Sequence, residues 1–135
     1  MKQEQLREFL DMTNTIAVVG ASRNPEKYGY QVYADLKAAG YAVFPVNPNC
    51  EHILGDMCYP NLEHLPVIPD VVNLVVPPPV TEEIVKTCRT LGVRKVWMQP
   101  GSESQTAIEY CEAHGIDVIH SLCVIIQRRR ASKMS

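Results

Sequence analysis

The chain lacks any apolar run approaching the roughly 20 residues that span a bilayer. Its first nine residues, MKQEQLREF, carry four charged side chains where a secretory signal would carry an apolar core. Residence in the cytoplasm, away from membranes, is the expectation. No C-x-x-C pair occurs, and the five cysteines, Cys50, Cys58, Cys88, Cys111 and Cys123, form an odd set. This argues against a secreted disulfide scaffold and against a zinc site, leaving reduced thiols that serve mostly as small core residues. A dominant charge is missing too: 13 Lys and Arg against 15 Asp and Glu leave a net −2. No broad field steers nucleic acid or anionic lipid, so any anion must be held locally. The basic stretch QRRRASKMS (127–135) lacks interleaved aromatics. It reads as a solvated basic tail, although the same arginines stand ready to close over a polyphosphate.

What is present is ordinary for a globular protein, with 46% hydrophobic and 21% charged residues in 135 positions. One domain spanning residues 1–135 is expected. Along it, apolar β-type runs alternate with amphipathic segments. A short leading helix within 1–12 (Leu6 to Met12) precedes strand TIAVVG (15–20), and Gly29 to Ala39 forms a helix stopped by Gly40. YAVFPVN (41–47) and VVNLVV (71–76) follow as strands, then a helix from Val80 to Leu91 closed by Gly92. VRKVWMQ (93–99) is the fourth strand, Ser102 to His114 a helix closed by Gly115, and IDVIH (116–120) the fifth strand. Residues 48–69 read as a loop with a short helical turn at Leu62 to Leu65. Continuous Val/Ile runs flanked by helices imply parallel strands covered on both faces. The predicted fold is a Rossmann-like α/β domain with a five-stranded, mostly parallel sheet of order 3-2-1-4-5.

In such open sheets ligands bind beyond the carboxyl ends of the strands, near the point where strand order reverses. Those ends deliver Gly20-Ala21-Ser22, Pro45-Val46-Asn47-Pro48, Val76 with three prolines, Gln99-Pro100-Gly101 and Ser121-Leu122-Cys123. Gly20 would let backbone approach a phosphate, with N–H groups of the following helix holding the charge. Ser22 would add a hydroxyl, and Arg23 or Lys27 a cation. The dinucleotide fingerprint G-x-G-x-x-G is broken by Ser22 and Pro25, and Asn47 stands where an acidic residue would hold the NAD ribose. Pro77, Pro78 and Pro79 end a strand abruptly and restart the chain as a helix. They either do only that, with Pro79 as first helical residue, or also present a stiff apolar wall to a ligand.

VVGAS (18–22) with Tyr28-Gly29, VFPVNP (43–48), ILGDMCYPNLEHLP (53–66), VVNLVVPPP (71–79), VWMQPG (96–101) and a cysteine after the last strand stand in this order. The set resembles the small stand-alone CoA-binding proteins of the YccU type, which are similar to the CoA-binding domain of succinyl-CoA ligase α subunits. The resemblance covers roughly residues 10–130. It implies coenzyme A or an acyl-CoA as ligand along the carboxyl edge, with the pyrophosphate near Gly20, Ala21 and Ser22; Arg23, Lys27 and Tyr28 are counted with the same candidate site. The adenosine 3′-phosphate would approach residues 47–52, beginning at Asn47 and Pro48. Val76, Pro77, Pro78 and Val80 would wall the adenine or the pantetheine arm, and Gln99, Gly101 and Cys123 would complete the edge. The family often carries a basic residue after the Asn-Pro pair. Here the sequence continues Asn49-Cys50-Glu51.

None of the four histidines falls in a catalytic pattern, and neither a Ser-His-Asp order nor a carboxylate pair emerges. Non-catalytic binding is therefore expected. The alternatives are a small enzyme acting on a CoA ester and a nucleotide- or NAD-type regulatory binder. Cys123 is the one chemical group at the edge. It could exchange with a CoA thiol or be a small buried hydrophobe.

Overall fold

The computed structural model describes residues 2–134. Its strands, numbered in chain order, are β1 (Thr15–Val19), β2 (Ala42–Val46), β3 (His52–Ile53), β4 (Asp56–Met57), β5 (Val71–Leu74), β6 (Lys95–Met98) and β7 (Asp117–His120). The helices are α1 (Lys2–Phe9), α2 (Tyr28–Ala38), α3 (Pro78–Leu91), α4 (Gln105–Ala113) and α5 (Val124–Met134), with a 3₁₀ turn at Leu62–His64. Five strands form one parallel sheet in the order β2-β1-β5-β6-β7. The Rossmann-like α/β class is as expected.

Counted over those five strands the order is 2-1-3-4-5, which corrects the expected 3-2-1-4-5: the third strand lies beside the first, not beside the second. Two local features account for this. Pro45 sits in β2, and proline, having no N–H, belongs in an edge strand. The start of β5 is also fastened to β1, because Asp70 accepts the Thr15 N–H at 2.8 Å and donates its own N–H to the Thr15 carbonyl at 2.8 Å.

Strand alternation divides the core into two layers. Ile16, Val18, Val71, Trp97 and Ile119 face one side, where α1, α2 and α5 contribute Phe9, Val32, Leu36 and Val124. Ala17, Val19, Val72, Leu74, Val96 and Met98 face the other, against Val85, Cys88, Ile108 and Cys111 of α3 and α4. Trp97 is fully buried, meets Phe9 edge-on with ring centroids 6.1 Å apart, and donates its indole N–H to the Leu122 carbonyl at 2.8 Å. Burying one side chain of that size contributes about 3 kcal/mol.

Three expectations need correction. The leading helix runs over Lys2–Phe9 rather than 6–12. Asn14 caps its end by donating to the Glu8 and Phe9 carbonyls at 2.7 and 3.2 Å, while Asp11 turns the chain by accepting from the Thr13 N–H. Within 48–69, an antiparallel hairpin of β3 and β4 stands where only loop was expected; its turn uses Leu54 (φ 51°) and Gly55 (φ 84°). The described part of the basic tail is helical and docked: Arg128 reaches both carboxylate oxygens of Asp35 on α2 at 2.6 and 2.9 Å. Such fork-on-fork pairing spends that charge on packing α5.

Candidate functional site

The chain leaves β1 toward β2 on one side, and its later strands build on the other, so the switch point falls between β1 and β5. A cavity of about 460 Å³ opens there, within the size range of small-molecule sites. Its floor is Val19, Gly20, Val75 and Val76; one wall is Pro77 with Val80, Ile84 and Thr87 of α3; the opposite wall is Pro60 to Glu63; Asn47 and Pro48 close the end.

The floor requires glycine. Gly20 has φ 95°, and a Cβ there would stand 2.0 Å from the Val75 carbonyl oxygen. A Cβ on Gly29 would stand 2.0 Å from the Gly20 carbonyl oxygen, so α2 starts pressed against this turn. Lys27 occupies the N-cap position of α2 without a side-chain capping bond, which leaves first-turn N–H groups to solvent or an anion. The neighbouring helix start is the opposite. Pro77 is the N-cap of α3, and Pro78 and Pro79 open it. Prolines carry no N–H, so this terminus offers an apolar surface and few donors. The tripeptide therefore both starts a helix and, through Pro77, walls the cavity.

Beside the cavity, over β6 and β7, lies a polar network. Gln99 is fully buried; its Oε1 accepts the Val124 N–H at 3.0 Å and the Tyr28 hydroxyl at 2.9 Å, and its Nε2 donates to Asn73 Oδ1 at 2.7 Å. The Tyr28 hydrogen is thereby used, so the 2.9 Å contact with Cys123 Sγ has the thiol donating to the phenol oxygen. Burial chiefly holds the Tyr28 hydroxyl above its ordinary range. Ser102 Oγ accepts the Val76 N–H at 3.0 Å and ties this region to the cavity floor.

Of the residues singled out from the sequence, Gly20, Asn47, Pro48, Val76, Pro77 and Val80 line the cavity together. Tyr28, Gln99 and Cys123 form the adjoining network. The Ala21 side chain is fully buried, and only its carbonyl, held by Asn47 Nδ2 at 2.7 Å, faces this region. Ser22 accepts the Asn24 N–H at 3.0 Å and shapes the loop. Arg23, Lys27 and Gly101 are exposed and, like half-buried Pro78, lie outside the cavity lining. The sequence reading missed Pro60 to Glu63, Ile84 and Thr87. Ile84 and Thr87 could have been found as positions four and seven after Val80 on one helix face. Among the described residues no cluster of three or more His, Cys, Asp or Glu could hold a metal ion.

A crevice at the switch point of an open parallel sheet, with a glycine floor and a donor-bearing helix start, defines a nucleotide-type binding domain. Comparison with known proteins specifies it: residues 14–129 match the CoA binding domain model, and the chain belongs to that family. It is similar to the uncharacterized protein YneT of Bacillus subtilis, 30% identical over 124 residues and 89% of each chain. It is also 30% identical over 128 residues to the α subunit of acetate–CoA ligase (ADP-forming) II of Pyrococcus furiosus. That match takes 87% of this chain and only 28% of the ligase subunit's length. Among solved structures, a hypothetical protein from Pyrococcus horikoshii superposes with TM-score 0.91 at 34% identity, covering 96% of this chain and 92% of that one.

Proposed function

We propose that this protein binds coenzyme A or an acyl-CoA along the carboxyl edge of the sheet without transforming it. The observation that carries this reading is the cavity between β1 and β5, walled mainly by Pro77, Val80 and Ile84 and by Pro60 and Leu62, and floored by Gly20. The adenine lies between Pro77, Val80 and Ile84 on one side and Leu62 on the other. The pyrophosphate lies over Gly20 to Ser22 at the uncapped start of α2. The pantetheine arm runs across β6 and β7 toward Tyr28 and Cys123, two strand spacings or about 10 Å from β5. Family membership supports the ligand class. Cytoplasmic residence accords with it, and among the described residues no helix is long and apolar enough to cross a membrane.

No lysine or arginine is among the residues lining the cavity. The 3′-phosphate is then read weakly, since an exposed ion pair contributes at most about 1 kcal/mol. Calorimetric titration of the reduced protein should give roughly micromolar CoA binding, with dephospho-CoA within about fivefold and NAD far weaker. Val80→Asp places a carboxylate in the apolar wall and should weaken CoA at least about tenfold. Stability should stay within about 0.5 kcal/mol, because the position is exposed and near a helix N-terminus that tolerates acid. Absence of CoA binding to the wild type would overturn the reading. Release of free thiol from acetyl-CoA, abolished by Cys123→Ser, would replace it with the enzymatic alternative.

A further inference from the structure

The segment carrying Asn47 and Pro48 and the segment carrying Pro60 to Glu63 form two lips of the cavity, and the β3–β4 hairpin joins them. A cysteine stands at each end of that hairpin. Regular pairing covers His52 with Met57 and Ile53 with Asp56, and the Cys58 N–H extends it to the Glu51 carbonyl at 2.7 Å. Beyond that the chain curls back, so that the Cys50 thiol reaches the His52 carbonyl at 3.2 Å and packs on the core cluster that contains Cys58. The Cys58 thiol points to the Asn47 carbonyl at 3.7 Å. Cys50 is half-buried and reachable, whereas Cys58 is 6% exposed.

We propose that Cys50 and Cys58 form a thiol–disulfide exchange site at the rim of the crevice, with a low-molecular-weight disulfide as co-reactant. The Cys50 thiolate attacks one sulfur of that disulfide, forming a mixed disulfide and releasing one thiolate. The Cys58 thiolate then attacks the Cys50 sulfur, closing the internal disulfide and releasing the second. Two protein thiols are oxidised, one small disulfide is reduced to two thiols, and the protons lost by the cysteines are taken up by the departing thiolates. The cross-link ties the two lips together.

The roles follow from access. Burial first, with the charge and hydrogen bond of neighbouring Cys50 adding to it, pushes the Cys58 thiol up to about 11. The second step is therefore slow at neutral pH and speeds by about tenfold per pH unit below that value. Cys88 and Cys111 also neighbour one another, but both are fully buried between α3 and α4. No oxidant reaches them without unfolding.

The test uses the full reduced chain, glutathione disulfide as probe, and chymotryptic mapping without reductant, which cuts between the two cysteines. A Cys50–Cys58 link that accumulates faster from pH 7 to pH 9 is expected. Cys58→Ser should stop at a glutathione adduct on Cys50, and Cys58→Ala should do the same if the serine hydroxyl disturbs the core. Cys50→Ser should leave Cys58 unmodified over the same interval. A lasting adduct on wild-type Cys50 with no link at pH 9, or a first reaction at Cys123, would overturn the proposal. Each result is read without CoA, so it stands or falls separately from the ligand reading.

Discussion

Gly29 packs on Gly20 so closely that a Cβ on the first would lie 2.0 Å from the carbonyl oxygen of the second. The neighbour is backbone and cannot rotate away, so the contact fixes how far α2 descends onto the turn after β1. Gly29→Ala must lift the helix start or bend the turn. Overpacking of this kind costs about 3 kcal/mol, and the movement opens the phosphate side of the crevice. We expect a urea midpoint lowered accordingly, together with weakened CoA binding. Gly115→Ala is the control: it has φ 71° but open space around its Cβ, so only the left-handed strain of about 1 kcal/mol applies. Equal losses in the two variants would show that the contact does not set the turn.

Tyr28 and Gln99 should differ in cost although they share a hydrogen bond. Tyr28→Phe removes the donor to Gln99 Oε1, which stays held by the Val124 N–H, and the weak contact with the half-buried Cys123 thiol, a loss of about 1 kcal/mol. Gln99→Leu leaves the Val124 N–H and Asn73 Oδ1 without the Gln99 amide in a fully buried setting, which costs about 3 kcal/mol. Chemical denaturation of both variants decides the order. If the phenylalanine variant proves the less stable, Gln99 is not the centre of the network.

The alternation of Val/Ile runs with amphipathic segments made the α/β class and the five principal strands legible, because burial on both faces leaves its mark on composition. Strand order was harder, since periodicity is silent about neighbours. Yet Pro45 carried the answer: a proline in mid-strand places that strand at an edge, which the order 3-2-1-4-5 did not respect. The rule that ligands gather at strand ends brought Gly20, Asn47, Val76 and Pro77 into one cavity. The facing wall, Pro60 to Glu63, sits in a segment without periodicity. Its position is set by tertiary contacts such as the Asn47 N–H to the Tyr59 carbonyl at 2.8 Å. The tail misled for a similar reason: three consecutive arginines look solvated until Asp35, on a helix far away in sequence, takes up Arg128.

The hairpin at the crevice rim should loosen in acid before the domain does. Asp56 on β4 accepts from Lys37 Nζ at 2.6 Å and from the Tyr33 hydroxyl, and Lys37 also donates to the Leu54 carbonyl at 3.0 Å. Hydrogen bonding from Lys37 first, and from Tyr33 second, holds the Asp56 carboxyl below its ordinary value of 3.8. A depressed folded-state pKa means the stabilisation is fully present above the unfolded value and is lost as pH falls through the folded one. The Lys37–Asp56 pair is substantially solvent-exposed, at 39% and 41%, so screening keeps its effect on global stability small. The consequence is local: amide protection factors in β3 and β4 should fall below about pH 4 while those of β1 and β5 persist. Asp56→Asn should show low hairpin protection already at pH 7, and Lys37→Met should flatten the pH dependence, leaving the part due to Tyr33. If hairpin and sheet lose protection together in the wild type, Asp56 is not what fastens the hairpin to α2, and the rim responds to acid only through global unfolding.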